Sequence, residues 1–141
     1  MNNSATKPIF LSAVVGRLWS YVPSGGSLPA VVWRKRHRFL LGLTWVHGGI
    51  IALAGPMLGY RWDLSLGAVF REDTVIHAVV EGLIVAFFAA LGGWRGAGRT
   101  FQATAVGFGL MSASAILVHL SGGYIELHFH FFVMLTFLAR L

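Results

Sequence analysis

The chain has 141 residues, no cysteine, a formal net charge of +6 and 11% charged residues, roughly half the charged fraction of a typical soluble domain. With a mean hydropathy of +0.71, this composition predicts an integral membrane protein, and the lack of cysteine excludes disulfides, iron–sulfur clusters and thiolate metal sites. The basic excess does not indicate a nucleic-acid partner, because four basic residues stand together directly before an apolar segment, where they favour anionic lipid.

Residues 1–32 are predicted to form a cytoplasmic or interfacial segment that ends in a flexible linker, "PSGGSLP" (23–29). The basic run "WRKRHR" (33–38) follows, and His37 within it is predicted to be an interfacial residue. Arg95 and Arg99 lie in a later connection. Because basic residues flank membrane spans on the cytoplasmic side, these positions predict a cytoplasmic N-terminus and an even number of crossings.

Four apolar segments are each expected to form a transmembrane helix, since about 20 residues cross the hydrocarbon core. They are 39–58, 75–93, 101–120 and a last segment from 125 to 141. In the third, Ala105, Gly109 and Ala113 form a row of small residues that lets another helix approach closely. The fold prediction is an all-α, polytopic membrane helical bundle of four transmembrane helices, with residues 33–141 as one region in the lipid bilayer. The last segment is still apolar at Leu141, which favours a fragment of a longer protein.

Ionisable residues inside these segments are predicted to share one depth. A helix rises about 1.5 Å per residue, so most of them lie within the first turns below the outer edge of the membrane. His47 is the exception, because it lies nearer the membrane centre and has no partner at its own depth. Since ionisable groups inside a bilayer are costly and commonly functional, all of them are candidate ligand-binding residues. The full set is His47, His77, Glu81, His119, Glu126, His128 and His130.

The spacing of the last three residues limits what they can bind together. Glu126 and His130 are four residues apart and share a helix face, whereas His128 lies about 200° of turn away from that pair. An intact helix therefore cannot direct His128 and His130 at one ion, unless its start is unwound at "SGG" (121–123). The predicted metal-binding core is His119, His128 and His130, with Glu126 orienting His130.

Three kinds of chemistry fit this polar layer, and the spacing does not distinguish them. Imidazole and carboxylate groups could hold a transition metal, two axial histidines could hold haem b, or His–Glu pairs could sense or relay protons. The cofactor is therefore left unidentified, and no catalytic chemistry is expected in this chain. The competing interpretation is that these side chains are interfacial groups that bond to water and loop backbone.

The segment "ASAILVHLSGGYIELHFHFFVML" (113–135) resembles the membrane-embedded N-terminal sensory region of bacterial signalling proteins that carry histidine kinase, diguanylate cyclase (GGDEF) or chemoreceptor output modules. Weaker agreement at "RHRFLLGLTWVHGGIIAL" and "IHAVVEGLIVA" extends the resemblance over about residues 34–141. It implies that the seven residues above, with Gly122 and Gly123, belong to the family's pattern. It also implies a bacterial inner-membrane location, a cytoplasmic output domain or signalling partner, and a possible homodimer. Similar proteins continue beyond the fourth span, so a truncated chain is expected.

The functional hypothesis is a membrane sensory module that detects a small ligand, a metal ion, a redox species or a proton through the His/Glu layer. The alternative is a haem-binding electron-transfer subunit of the cytochrome b type. That alternative requires axial histidines on facing helices at matched depth, for which His77 and His119 are the candidates.

Overall fold

The structure, a computed structural model, describes residues 28–139, which form four α-helices. A short 3-10 helix, Leu66–Phe70, lies in the connection between the first two. The predicted all-α architecture is thus confirmed for the described part of the chain. Most of the predicted N-terminal segment and linker lie outside the described residues, as do the last two residues of the fourth apolar segment. The helices are α1 (Ala30–Met57), α2 (Val75–Gly92), α3 (Arg99–Leu120) and α4 (Ile125–Leu138).

Three of the four predicted membrane helices are confirmed in length and composition. α1, α2 and α3 have 28, 18 and 22 residues and are apolar enough to cross a bilayer. α4 is apolar but has only 14 residues among those described, which is about 21 Å of helix at 1.5 Å per residue. A fourth crossing and the cytoplasmic N-terminus therefore stay predictions.

α1 begins at Ala30, well before the predicted start at Phe39. Pro29 immediately precedes the helix, and the basic run continues it because Lys and Arg are good helix formers. His37 consequently belongs to the buried face of α1, where it is 6% exposed. Its Nε2 lies 2.9 Å from the carbonyl oxygen of Gly92, and its ring stacks on Trp33. This side chain therefore ties α1 to the end of α2, and its location at the membrane interface stays a prediction.

Small residues set the distances between helices. A Cβ added at Gly82 of α2 would lie 2.6 Å from the carbonyl oxygen of Gly48 in α1. One added at Gly109 of α3 would lie 2.7 Å from Cγ2 of Thr44 in α1. Ala105, Gly109 and Ala113 are all buried on one face of α3, which confirms the predicted row of small residues. α1, α2 and α3 consequently form a close-packed core.

α4 is attached differently, because Met134 is its only buried residue. Met134 joins a core cluster with Leu40 of α1 and with Val106 and Leu110 of α3. The turn that reverses the chain between α3 and α4 contains Gly122 and Gly123, with φ angles of +70° and +86° that side chains other than glycine rarely adopt. The 58–74 connection and this turn lie at the same end of the bundle, here called the loop end.

Candidate functional site

The structure places the predicted site residues in two separate groups. The carboxylate cluster, at the loop end, contains His77 and Glu81 of α2 and His119 of α3, with Glu72 of the connecting loop at its rim. The histidine pair, deeper in the bundle, contains His47 of α1 and His130 of α4. Both groups are assembled from residues of different helices, so each depends on how the helices pack.

The start of α2 fixes the orientation of His77. Thr74 is the N-cap residue of α2 and is fully buried, and its hydroxyl donates to the carbonyl oxygen of Ala68 at 2.6 Å. This bond holds the 3-10 helix against α2. As a result, the carbonyl oxygen of Val69 lies 2.6 Å from Nδ1 of His77. Because a carbonyl oxygen only accepts, Nδ1 carries the hydrogen, and in the neutral ring Nε2 keeps its lone pair.

The free side of His77 faces the other members of the carboxylate cluster. Its Nε2 lies 3.5 Å from Oε1 of Glu81, and Nε2 of His119 lies 3.9 Å from the same oxygen. One donor atom from each of the three side chains lies within 4.8 Å of the other two. Nε2 of His77 and Oε2 of Glu81 are buried and have no hydrogen-bond partner among the described residues. The cluster therefore has free lone pairs on these two atoms, which can bind a cation or accept a proton.

The carboxylate cluster is open on one side. The side chains of His77 and Glu81 are 16% and 13% exposed, whereas that of His119 is 42% exposed. Glu72, whose side chain is 76% exposed, places Oε1 3.9 Å from Nε2 of His119. The accessible side of the cluster is therefore the side of His119 and Glu72.

Asp63 and Arg71 close the loop beside this cluster with an exposed ion pair. Asp63 also accepts a hydrogen bond of 2.9 Å from the backbone N–H of Ser65. The pKa of this carboxyl is lowered, first by that backbone hydrogen bond and then by the nearby Arg71 and Arg61 guanidinium groups. The loop is thus held by a carboxylate that stays ionised at neutral pH.

The histidine pair forms a continuous chain of polar contacts between α1, α4 and α3. Nδ1 of His47 lies 2.7 Å from the carbonyl oxygen of Leu43, and its Nε2 lies 2.9 Å from Nε2 of His130. Nδ1 of His130 lies 2.8 Å from the hydroxyl of Ser114, which lies 3.0 Å from the carbonyl oxygen of Leu110. Each ring nitrogen of the pair therefore has a polar neighbour within hydrogen-bond distance.

The number of hydrogens available to these four contacts limits how many protons the histidine pair can hold. Its two ends, the carbonyl oxygens of Leu43 and Leu110, only accept, so the four contacts need four hydrogens. Two neutral imidazoles and one hydroxyl supply three. Three hydrogens already satisfy both rings when the Ser114 hydroxyl donates to Nδ1 of His130, Nε2 of His130 donates to Nε2 of His47, and Nδ1 of His47 donates to Leu43. One additional proton would let the hydroxyl donate to Leu110 instead, and all four hydrogen bonds would then form. A second would place two N–H groups against each other at 2.9 Å. The arrangement can therefore hold at most one additional proton.

The expectation that His47 has no partner at its own depth is wrong. The contact of Gly109 with Thr44 places α1 and α3 in a register in which His47 lies near the level of Ser114. His130 contacts that same serine from α4. Depth estimated by counting residues from each helix end ignores this offset, and it therefore overestimated the separation between His47 and His130.

The structure does not bring the predicted metal-binding core together. His119 lies beside Glu81, whereas His130 contacts His47 and Ser114. His128 is exposed, and its Nδ1 lies 3.3 Å from the carbonyl oxygen of Tyr124. α4 is helical from Ile125, so the unwound start that would have brought His128 and His130 together is absent there.

Glu126 does not orient His130 as expected. Glu126 is exposed, and both ring nitrogens of His130 are engaged by His47 and Ser114 instead. Glu126 and His128 therefore belong to neither group. Ser114 and Glu72 are the members that the sequence analysis missed. A lone serine in the buried small-residue face of α3 was the available signal for Ser114.

Neither His77 with His119 nor His47 with His130 has the geometry of two axial haem ligands. The Glu81 carboxylate lies near Nε2 of both His77 and His119, where a porphyrin would have to pass. His47 and His130 contact each other directly through Nε2, which leaves no space for an iron atom between them. The cytochrome alternative therefore gains no support from either pair.

Comparison with known proteins gives one relevant similarity. No family model matches the chain, and no solved structure matches it. The chain is 31% identical over 131 residues to "Transducer protein Htr8" of Halobacterium salinarum (strain ATCC 29341 / DSM 671 / R1), which covers 92% of this chain and 20% of that protein. The chain thus spans about a fifth of the length of the curated relative that it matches.

Proposed function

We propose that this chain is the membrane-embedded sensory module of a signal-transduction protein, and that the carboxylate cluster and the histidine pair receive its stimulus. The observation that carries the proposal is the similarity to a transducer protein, which extends over 92% of the chain. A similarity of that extent involves the helical bundle as a whole and not one apolar helix. The signalling output would belong to a cytoplasmic partner or output domain, and no catalytic step is assigned to these residues.

α4 is the element best suited to move in such a module. It buries only Met134, whereas each of the other three helices buries at least six residues. Near the loop end, its position depends on His130, which contacts α1 through His47 and α3 through Ser114. At the opposite end, Phe137 contacts Phe39 beside the basic run of α1. A change in the bonding of His130 would therefore shift α4 at both ends.

The absence of native cysteine makes the proposal directly testable with spin labels. Val31 of α1 and Ala139 after α4 are exposed at the end opposite the loop end, and Thr100 of α3 provides an exposed reference there. Cysteine pairs 31/139 and 31/100 would be labelled in the full chain in lipid nanodiscs. Pulsed dipolar EPR would then measure both distances between about pH 5 and 8, where histidines titrate, and with and without zinc or copper ions.

The proposal expects the 31/139 distance to change with at least one stimulus while the 31/100 distance stays constant. The change should disappear when His130 is replaced by Phe, and it should persist when the exposed His128 is replaced. Constant 31/139 distances under every condition, or equal responses of the two variants, would contradict the assignment of these groups as the stimulus receiver.

A further inference from the structure

The carboxylate cluster contains lone-pair atoms that have no hydrogen-bond partner in the described part of the protein. Nε2 of His77 and Oε2 of Glu81 are buried without a hydrogen-bond partner among the described residues. Leaving a buried polar atom unpaired is costly, so two such atoms in one cluster need an explanation. We infer that His77, Glu81 and His119 bind a single divalent transition-metal ion of the zinc type, with Glu72 as the fourth ligand.

The ring of His77 is oriented for a metal ion before any ion arrives. Its Nδ1 donates to the carbonyl oxygen of Val69, which leaves the Nε2 lone pair directed at the cluster. A metal-binding histidine usually donates its second ring N–H to a carbonyl or carboxylate in this way. Val69 lies in the 3-10 helix that Thr74 anchors, so this orientation does not depend on a mobile side chain.

The distances between donor atoms are close to those of a tetrahedral site. Zinc–nitrogen and zinc–oxygen bonds of about 2.0–2.2 Å place neighbouring donors about 3.3–3.6 Å apart. The distances from Oε1 of Glu81 to Nε2 of His77 and of His119 are 3.5 and 3.9 Å, and that from Oε1 of Glu72 to Nε2 of His119 is 3.9 Å. Glu72 lies outside the group of three whose donor atoms are all within 4.8 Å of one another, so its exposed side chain would have to rotate inward past His119 to complete the coordination.

The charges and donor types select the class of ion. Two neutral imidazoles and two carboxylates neutralise a charge of +2, which matters in a site of low dielectric constant. A set of two nitrogen and two oxygen donors favours zinc and related transition metals, since calcium and magnesium prefer oxygen alone and copper(I) prefers sulfur. Four protein ligands would also form a closed site, which is typical of structural or regulatory zinc and not of catalytic zinc.

Bound metal would link three parts of the chain: α2 through His77 and Glu81, α3 through His119, and the 58–74 connection through Glu72. Metal binding itself follows from the cluster alone. That the ion acts as a stimulus rests on the sensory function proposed above. Affinity and helix displacement must therefore be measured separately, because either can fail without the other.

Binding would be measured on the full chain in nanodiscs, stripped with chelator and titrated with zinc in calorimetry, with cobalt(II) as the spectroscopic probe. The expected result is one ion per chain and the visible absorption of tetrahedral cobalt. His77→Phe and Glu81→Gln should each weaken zinc binding at least about tenfold, the lower end of the range for losing even a supporting partner of a metal ligand. His128→Phe is the matched control and should bind as the wild type does.

Glu81→Gln keeps the shape of the side chain, so it tests the site even if His77→Phe fails to fold. Zinc affinity that is unchanged in Glu81→Gln, an octahedral cobalt spectrum, or binding that depends on His128 would each overturn the inference. Wild-type zinc binding with constant 31/139 spin-label distances would keep the metal site and remove its role as a stimulus. Distances that respond to pH in a protein that binds no zinc would keep the sensory function and remove the metal site.

Discussion

The contact between α1 and α2 gives the most quantitative prediction, because a single methyl group tests it. A Cβ at Gly82 would lie 2.6 Å from the carbonyl oxygen of Gly48, 2.7 Å from Cβ of Ala52 and 2.8 Å from its backbone nitrogen. Ordinary contacts begin at 3.4 Å, so the helices would have to separate by about 0.8 Å there. Since two of the three atoms are backbone, rotating a side chain cannot relieve the overlap. Gly82→Ala should therefore destabilise the protein.

Gly49→Ala is the matched control, since a Cβ at Gly49 meets nothing within 4 Å. Both substitutions raise intrinsic helix propensity by the same amount, about 1 kcal/mol, so this contribution cancels between them. The remaining difference in the free energy of unfolding is the cost of overpacking, about 1–3 kcal/mol. Gly48→Ala should fall between the two, because its Cβ would lie 3.1 Å from the carbonyl oxygen of Gly82.

The three variants would be unfolded in mixed detergent micelles with increasing sodium dodecyl sulfate and followed by circular dichroism. The expected order of stability is Gly49→Ala, then Gly48→Ala, then Gly82→Ala. Because Gly82 follows Glu81 on α2, Gly82→Ala should also weaken zinc binding, whereas Gly49→Ala should not. Equal unfolding free energies for Gly82→Ala and Gly49→Ala would refute the close contact between α1 and α2.

Three further predictions concern the polar groups. His130→Phe should cost about 1–3 kcal/mol of stability because it removes the hydrogen-bond partner of Nε2 of His47, whereas His128→Phe should change stability by less than about 0.5 kcal/mol. Equal losses of thermal stability would contradict this. Nitrogen-15 NMR of labelled histidines should show that His47 and His130 never carry more than one additional proton between them, and protonation of both rings at once would refute the proton count. The lowered pKa of Asp63 means that its contribution to loop stability is complete above its unfolded pKa and is lost as pH falls through the folded value. Loop proteolysis should therefore increase in acid in the wild type, and it should increase less in Asp63→Asn, in which only Asp73, the ion-pair partner of Arg61, and Glu72 still lose their charge.

The carboxylate cluster was largely predictable from the sequence, and the reason is topological. His77 and Glu81 lie in the first turns of α2 and His119 in the last turn of α3. Consecutive membrane helices joined by a short connection are antiparallel neighbours, so the start of one and the end of the next lie at the same end of the bundle. Residue counting sufficed because each residue is close to a helix end. The Val69 carbonyl that orients His77 was not predictable, because the path of a loop does not follow from hydrophobic periodicity.

The histidine pair required information that periodicity does not contain. His47 lies ten residues before the end of α1, so its depth depends on where that helix lies along its neighbours. That register is determined by which small residues meet, here Gly109 of α3 against Thr44 of α1, and any of several glycines in α1 could have met α3 instead. A shift of α1 by one helical turn, about 5.4 Å, would separate His47 from His130, and each ring would keep only its other contact, with Leu43 or with Ser114. The sequence therefore predicts that buried histidines need polar partners. Which residues are those partners follows only from the helix register, which the close contacts of glycines such as Gly109 determine.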